Sequence, residues 1–191
     1  MVRSAASLIS AKGVSATSFS DVLADSGAPR GSIYHHFPGG KEELATEAVR
    51  WTSDRVVAYL RAGTETTPEA VMSRFIQLWR QVVLSSNAAS GCVVAGVALD
   101  SGVDDGALME VARETFRSWI TVLADQLEHA GIPAQRARGI SLATLAGMEG
   151  ALIICRAEGS VQPLDDVATE LMRLVHAADD RERASPGPYS T

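Results

Sequence analysis

The sequence has little of what several classes of protein require. Its 191 residues include two cysteines, Cys92 and Cys155, too few for a disulfide framework and outside any metal-ligand spacing. A reduced, cytoplasmic setting suits such a chain. The longest apolar run, Cys92 to Leu99, is far shorter than the roughly 20 residues of a membrane span. We therefore expect a soluble protein without a membrane segment, and we assign no cofactor and no metal.

Basic residues are outnumbered as well. The chain has 17 Lys and Arg against 23 Asp and Glu, a formal net charge of −6. A protein this acidic is not a general coat for polyanions, so any contact with nucleic acid must use a local patch. One stretch has the required bias, because no acidic residue lies between Ser26 and Lys41.

Glycine and proline punctuate a pattern that is otherwise helical in period, and strand signals are weak. We predict an all-α protein of about nine helices, three short ones followed by longer ones. The segment from Cys92 to Asp100 is ambiguous by period and could be a short buried helix. A turn is predicted over residues 101–106. A disordered tail is expected over 181–191, where Pro and Gly are frequent and the apolar stripe ends.

Two of the short segments have the spacing of a helix-turn-helix. The first helix is predicted from Phe19 to Ser26 and the second from about Arg30 to His36. Gly27, between them, permits a sharp turn. The positions predicted to face inward are Val22, Leu23, Ile33 and Phe37.

The run Gly-Ser-Ile-Tyr-His-His-Phe at 31–37, followed by Lys-Glu-Glu-Leu at 41–44, resembles the DNA-binding domain of TetR/AcrR-type transcriptional regulators. The long link Phe-Pro-Gly-Gly-Lys at 37–41 and the segment 91–99 are similar to the LmrA/YxaF-like branch of that family. The resemblance implies an N-terminal three-helix helix-turn-helix domain at residues 1–45. It also implies a helical effector-binding and dimerisation domain at 46–180.

The resemblance further implies which residues meet DNA. Hydroxyl, imidazole and basic groups at the matched positions would contact phosphate, Arg30 can also reach a guanine edge, and Gly31 lets the backbone approach. The predicted DNA contacts are Thr17, Arg30, Gly31, Ser32, Tyr34, His35 and Lys41. Neighbouring residues of a helix point about 100° apart and make a poor metal chelate. We therefore expect His35 at DNA and His36 in packing.

The second half of the chain holds candidates for a small-molecule site. A cavity lined by aliphatic residues, Met and Trp favours apolar ligands. Glu149 lies in an apolar helix, so it must be paired, reach a ligand or lie at an interface. Aromatic residues at helical spacing are otherwise ordinary core, and both cysteines are expected to be inert buried thiols rather than redox sensors. The predicted ligand residues are Phe75, Trp79, Cys92, Phe116, Trp119, Met148 and Glu149.

The function implied is that of a regulator that binds operator DNA as a homodimer and is released by an apolar effector. The last two helices would form the dimer. Ala143, Gly147 and Ala151 share one helix face, which suits either a partner chain or packing within the chain. Two alternatives stay open, a ligand-independent DNA-binding protein and an all-α enzyme or carrier. Against the enzyme, no nucleophile and base stand in a recognisable motif among the four histidines.

Overall fold

The computed structural model describes residues 1–100 and 106–184, with side chains up to 178, and each regular element in these ranges is a helix. This confirms the all-α prediction. The helices of the described ranges are α1 (Val2–Lys12), α2 (Phe19–Ser26), α3 (Ser32–His36), α4 (Gly40–Arg61), α5 (Pro68–Ser85), α6 (Val93–Asp100), α7 (Gly106–His129), α8 (Ala134–Glu158) and α9 (Gln162–Ala184).

Three boundaries refine what the sequence predicted. The ambiguous segment before Asp100 is helical as α6, with Val93, Val94 and Val97 buried. The second helix of the helix-turn-helix begins at Ser32, two residues later than predicted. α9 runs on to Ala184, so the first four residues of the predicted tail are helical. Residues 101–105 of the predicted turn and 185–191 of the predicted tail lie outside the described residues.

The chain divides into two compact units. The first comprises Met1–Ala58 with Ala89–Trp119, and the second comprises Tyr59–Ala88 with the chain from Ile120 onward. α1, α2, α3 and α6 belong to the first unit, and α5, α8 and α9 belong to the second. The division into residues 1–45 and 46–180 stays a prediction.

In the first unit, α6 packs against α1 at backbone distance. The Gly91 N–H donates to the Ser10 carbonyl at 2.9 Å, and a β-carbon on Gly96 would lie 3.0 Å from the Ile9 carbonyl oxygen. Any larger residue at 96 would push the two helices apart. Small residues at these positions therefore set how closely α6 approaches α1.

In the second unit, α8 packs mainly against α9 and also against α5. A β-carbon on Gly147 would lie 3.3 Å from Val167 and 3.6 Å from Leu171 of the same chain, and Ala151 is buried. Two of the three small residues considered for dimer contact, Gly147 and Ala151, therefore pack within the chain. Only Ala143 of that set is exposed.

α8 is also long and apolar enough to cross a membrane, the one helix of the described ranges that is. Its most apolar 18-residue window has a mean hydropathy of 1.5, and 44% of that window is buried in the structure. Ile140, Met148 and Leu152 of α8 are among the largest fully buried side chains. Apolar character of this kind is what a helix at the centre of a packed unit needs.

Acid should weaken the start of α2 through Asp21. Ser18 and Asp21 form a reciprocal capping box, and Lys12 at the end of α1 donates to Asp21 Oδ2 at 2.8 Å. These bonds, with that from Lys12 the largest, lower the pKa of Asp21 from 3.8 to about 2. A lowered carboxyl pKa stabilises the fold above pH 3.8, and this contribution is lost as the pH falls through about 2.

We expect Asp21→Asn to lower the thermal unfolding midpoint at pH 7 and to flatten its dependence on pH between about 4 and about 2. Circular dichroism at a series of pH values measures both effects. Asp25→Asn is the matched control, because it removes the same charge from an exposed position of the same helix. Equal pH profiles for the two variants would contradict the assignment.

Candidate nucleic-acid interface

The turn between α2 and α3 has the geometry that the sequence predicted. Gly27 follows α2 in the left-handed region, at φ 68° and ψ 13°, and its N–H donates to the Leu23 carbonyl at 3.0 Å. Val22 and Ile33 are fully buried and Phe37 nearly so. Leu23 is only half-buried. Three of the four predicted inward positions are thus buried.

The opposite side of α3 is open to solvent. Arg30, Gly31 and His35 are exposed, and Tyr34 is 69% exposed. The Tyr34 ring meets the Phe19 ring edge to face, with centroids 5.6 Å apart, so α2 holds this tyrosine in place. These four predicted contact residues are therefore all accessible to a ligand.

Two further residues, His36 and Thr17, depart from what the sequence predicted. His36 is exposed and not packed; its ring lies beside the rings of His35 and Phe37. Thr17 is buried, and its hydroxyl donates to the Gly13 carbonyl at 2.7 Å. Thr17 is therefore not placed to contact a phosphate, and its hydroxyl instead closes the connection between α1 and α2.

Ser32 and Lys41 are partly engaged within the chain. The Ser32 hydroxyl donates to the Pro29 carbonyl at 2.6 Å, which fixes the first turn of α3. Lys41 lies in the first turn of α4 and donates from Nζ to the Ser15 carbonyl at 2.8 Å. An ammonium group has three N–H donors, so two remain for another acceptor.

One acid close to this surface in sequence is used to start α4. Glu43 Oε2 accepts from the Gly39 N–H at 2.7 Å, at the beginning of α4. The Glu43 carboxylate is thus paired with a backbone N–H. Among the described residues, no three His, Cys, Asp or Glu side chains come together as a metal site would require.

The seven predicted ligand residues fall in both compact units. Phe75, Trp79, Met148 and Glu149 belong to the second, where the Phe75 and Trp79 rings meet edge to face at 6.1 Å. Cys92, Phe116 and Trp119 belong to the first, where the Phe116 and Trp119 rings meet edge to face at 6.0 Å.

Burial varies little across this set. Five of the residues are buried, and Phe116 and Glu149 are half-buried. A shallow depression of about 90 Å³ in the second unit, beside Val83 and Gly159, includes none of the seven. Cys155 is buried as well, and burial raises the pKa of its thiol. A raised pKa keeps the thiol protonated and unreactive at neutral pH.

Comparison with known proteins decides what this arrangement belongs to. Residues 2–48 match the model of the bacterial regulatory proteins of the tetR family, and residues 68–170 match that of the C-terminal domain of LmrA/YxaF-like transcriptional regulators. The chain belongs to the TetR family of transcriptional regulators. The two matched ranges parallel the division between a DNA-binding and a second helical part that the sequence suggested.

Relatives that match nearly the whole length of this chain are also transcriptional regulators. An uncharacterized HTH-type regulator of Mycobacterium tuberculosis (strain ATCC 25618 / H37Rv) is 35% identical over 93% of each chain. Bacillus subtilis (strain 168) YxaF is 28% identical over 92% of this chain and 93% of its own, and LmrA from the same strain is 27% identical over 86% and 88%.

Solved structures share the fold. A TetR regulator from Legionella pneumophila has a TM-score of 0.81 at 22% identity, covering 91% of this chain and 94% of that one. A regulatory protein TetR from Rhodobacter sphaeroides has a TM-score of 0.80 at 19% identity, covering 91% and 95%. This TetR-family protein is therefore a helix-turn-helix transcriptional regulator that binds DNA, and the alternative of an all-α enzyme or carrier is wrong.

Proposed function

We propose that this TetR-family regulator is a repressor that binds a palindromic operator as a homodimer and leaves it when an apolar small molecule binds. The observation that carries the proposal is the exposed surface of Arg30, Tyr34 and His35, free of acid up to Lys41 in a chain of net charge −6. A repressor of this kind acts in the cytoplasm, where its operator lies.

The roles at DNA follow from exposure and from the donors still available. Arg30 is exposed just before α3 and has the fork of donors that reads guanine. Tyr34 and His35 extend from α3 and suit phosphate or sugar. Lys41 combines its charge with the N-terminal end of α4, which also favours phosphate. Gly31 and Ser32 bring the backbone close, and Thr17 is left out of the set because its hydroxyl is occupied.

Arg30→Ala and Lys41→Ala should weaken DNA binding in different ways. Arg30→Ala should cost about 1–3 kcal/mol at the operator and relax base specificity. Lys41→Ala should weaken binding to all sequences alike and reduce the salt slope by about one unit. Fluorescence anisotropy at several salt concentrations measures both, on a fragment that the wild-type protein selects from a random DNA pool.

Arg50→Ala is the control for the loss of one positive charge. Arg50 is exposed on α4 outside the helix-turn-helix and is paired with Glu47. We expect its operator affinity to match the wild type. If Arg30→Ala and Lys41→Ala behave like Arg50→Ala, the proposed surface does not bind DNA.

The dimer is proposed to use the exposed apolar face of α8. Leu142, Ile153 and Ile154 are 56%, 60% and 46% exposed, and the exposed Ala146 lies one turn from Leu142. Large apolar residues grouped on one solvent-facing surface are a feature of interfaces. A second copy related by two-fold symmetry would cover the same residues on both chains. The symmetry also suits recognition of two half-sites about 34 Å apart.

Ile153→Glu should break this dimer. A charge at the centre of an apolar interface should raise the dissociation constant by roughly 30-fold or more. Sedimentation at micromolar concentration should then give the mass of two chains for the wild type and of one chain for the variant. Leu84→Glu, at an exposed apolar residue of α5, is the control. A wild-type protein that sediments as one chain contradicts the proposal.

The effector is proposed to be apolar and to contact one of the two aromatic pairs, Phe75–Trp79 in the second unit or Phe116–Trp119 in the first. Both pairs combine a Trp with a Phe, and Met148 is fully buried near the middle of α8. Such side chains favour apolar, planar or aliphatic ligands over sugars or phosphates. Glu149, half-buried on α8, would meet a donor or a positive charge of the ligand. Release needs only that the effector and the operator prefer different conformations.

An effector that releases the operator should change tryptophan emission. The chain has three Trp residues, and Trp51 is half-exposed on α4 with the Arg55 guanidinium 4.9 Å from its ring centre. In a screen of apolar compounds against the operator complex, a releasing compound should lose its emission signal in Trp79→Phe or Trp119→Phe and keep it in Trp51→Phe. Bound operator should lower the protein's affinity for the compound by some factor. The compound should lower the protein's affinity for the operator by the same factor.

Two results would count against the effector proposal. A releasing compound that leaves all Trp emission unchanged places the site elsewhere. A protein that no apolar compound releases, and whose operator affinity is constant, is the ligand-independent DNA-binding protein.

A further inference from the structure

Asp100, the last residue of α6, lies against the connection between α1 and α2. Its carboxylate accepts a hydrogen bond from the Ser15 N–H, 85 positions away in sequence. A β-carbon on Gly13 would lie 2.9 Å from Asp100 Oδ2, and Gly13 has a φ of 81°, so glycine is what allows the carboxylate to come this close.

Lys41 holds the backbone on the other side of Ser15. The Ser15 carbonyl accepts from Lys41 Nζ at 2.8 Å, so the two peptide units that meet at the Ser15 α-carbon are held by a carboxylate at the N–H of one and by an ammonium at the C=O of the next. Hydrogen bonds to charged groups are stronger than neutral ones. The Ser15 N–H lowers the pKa of Asp100, and the charge of Lys41 acts in the same direction.

This chain of contacts ends at the surface proposed to bind DNA. The adjoining residue Thr17 ties the same connection to Gly13, and Ser18 caps α2. Lys41 leads into α4 and has two N–H donors left for a phosphate. Without Asp100 the Ser15 N–H would lose its partner, and the Ser15 carbonyl that holds Lys41 would be less firmly fixed.

We infer that Asp100 is a positioning residue for DNA binding, which acts through the backbone of Ser15 to hold Lys41 in place for a phosphate. The inference rests on the proposed role of Lys41 at DNA. In this role the last residue of α6 shapes the DNA-binding surface but does not itself contact DNA.

Asp100→Asn and Asp100→Ala separate positioning from charge. Both remove one negative charge, which alone would strengthen binding to any DNA equally in the two variants. Asn keeps an oxygen that can accept from the Ser15 N–H, and Ala does not. We expect Asp100→Asn to stay within about twofold of the wild type and Asp100→Ala to lose about tenfold relative to Asp100→Asn. The salt slope of Asp100→Ala should fall by about one unit, because Lys41 no longer meets its phosphate.

A double-variant cycle tests whether Asp100 acts through Lys41. In a Lys41→Ala background, Asp100→Ala should cause little further loss of affinity for the fragment selected by the wild type. Additive losses, or equal losses for Asp100→Asn and Asp100→Ala, would overturn the positioning role. If Lys41→Ala alone changes nothing, Lys41 is no DNA contact, and that result removes both the proposed role and this inference.

Nuclear magnetic resonance provides a readout if Asp100→Ala does not fold. In the wild type the Ser15 amide proton should resonate downfield and exchange slowly with solvent. In Asp100→Asn it should move upfield and stay protected, because the acceptor persists without the charge. A rapidly exchanging Ser15 amide in the wild type would show that the hydrogen bond is absent in solution, and it would overturn the inference.

Discussion

The DNA-reading part of the molecule depends on the burial of one face of a helix too short to be stable alone. α3 has five residues, Ser32–His36, and isolated helices need about 12–15 residues to form in water. The burial of Ile33 and Phe37 supplies what the local sequence cannot. The Ser32 hydroxyl on Pro29 starts the helix, and Gly27 permits the approach to it. With the inner face fixed in this way, Tyr34 and His35 have only the outer face left to occupy.

The placement of carboxylates is a second constraint on the DNA-binding surface. The protein as a whole repels polyanions, so binding depends on keeping carboxylates away from one small surface. Absence of acid from the sequence window does part of this. Two acids outside the window are hydrogen-bonded, since Glu43 accepts from Gly39 and Asp21 accepts from Lys12 and Ser18. An acid that is already hydrogen-bonded to N–H groups stabilises a helix start and projects less negative potential toward a ligand.

Much of this could be predicted from sequence, and the failures share a cause. The α2–turn–α3 unit follows from local periodicity and one glycine, so the bounds of α2 and the buried residues Val22, Ile33 and Phe37 were predictable. Thr17, His36 and Gly147 were not, because the fate of each depends on a neighbour. The Gly13 carbonyl takes the hydroxyl of Thr17, and α9 takes the space beside Gly147. The ligand residues were grouped by chemical type alone, and composition says nothing about which side chains share a compact unit.

Contacts far apart in sequence leave the least trace of all. A lone aspartate at the end of an apolar helix such as α6 has the pattern of a solvated helix end, and a glycine after α1 has the pattern of an ordinary helix stop. Only the fold brings Asp100 to Ser15 and shows that Gly13 leaves room for the carboxylate. A side-chain type suited to phosphate is therefore a necessary property of a DNA contact and not a sufficient one. What decides is how many of its donors the rest of the chain has already used, and by that measure Lys41 retains two of its three while Thr17 retains none.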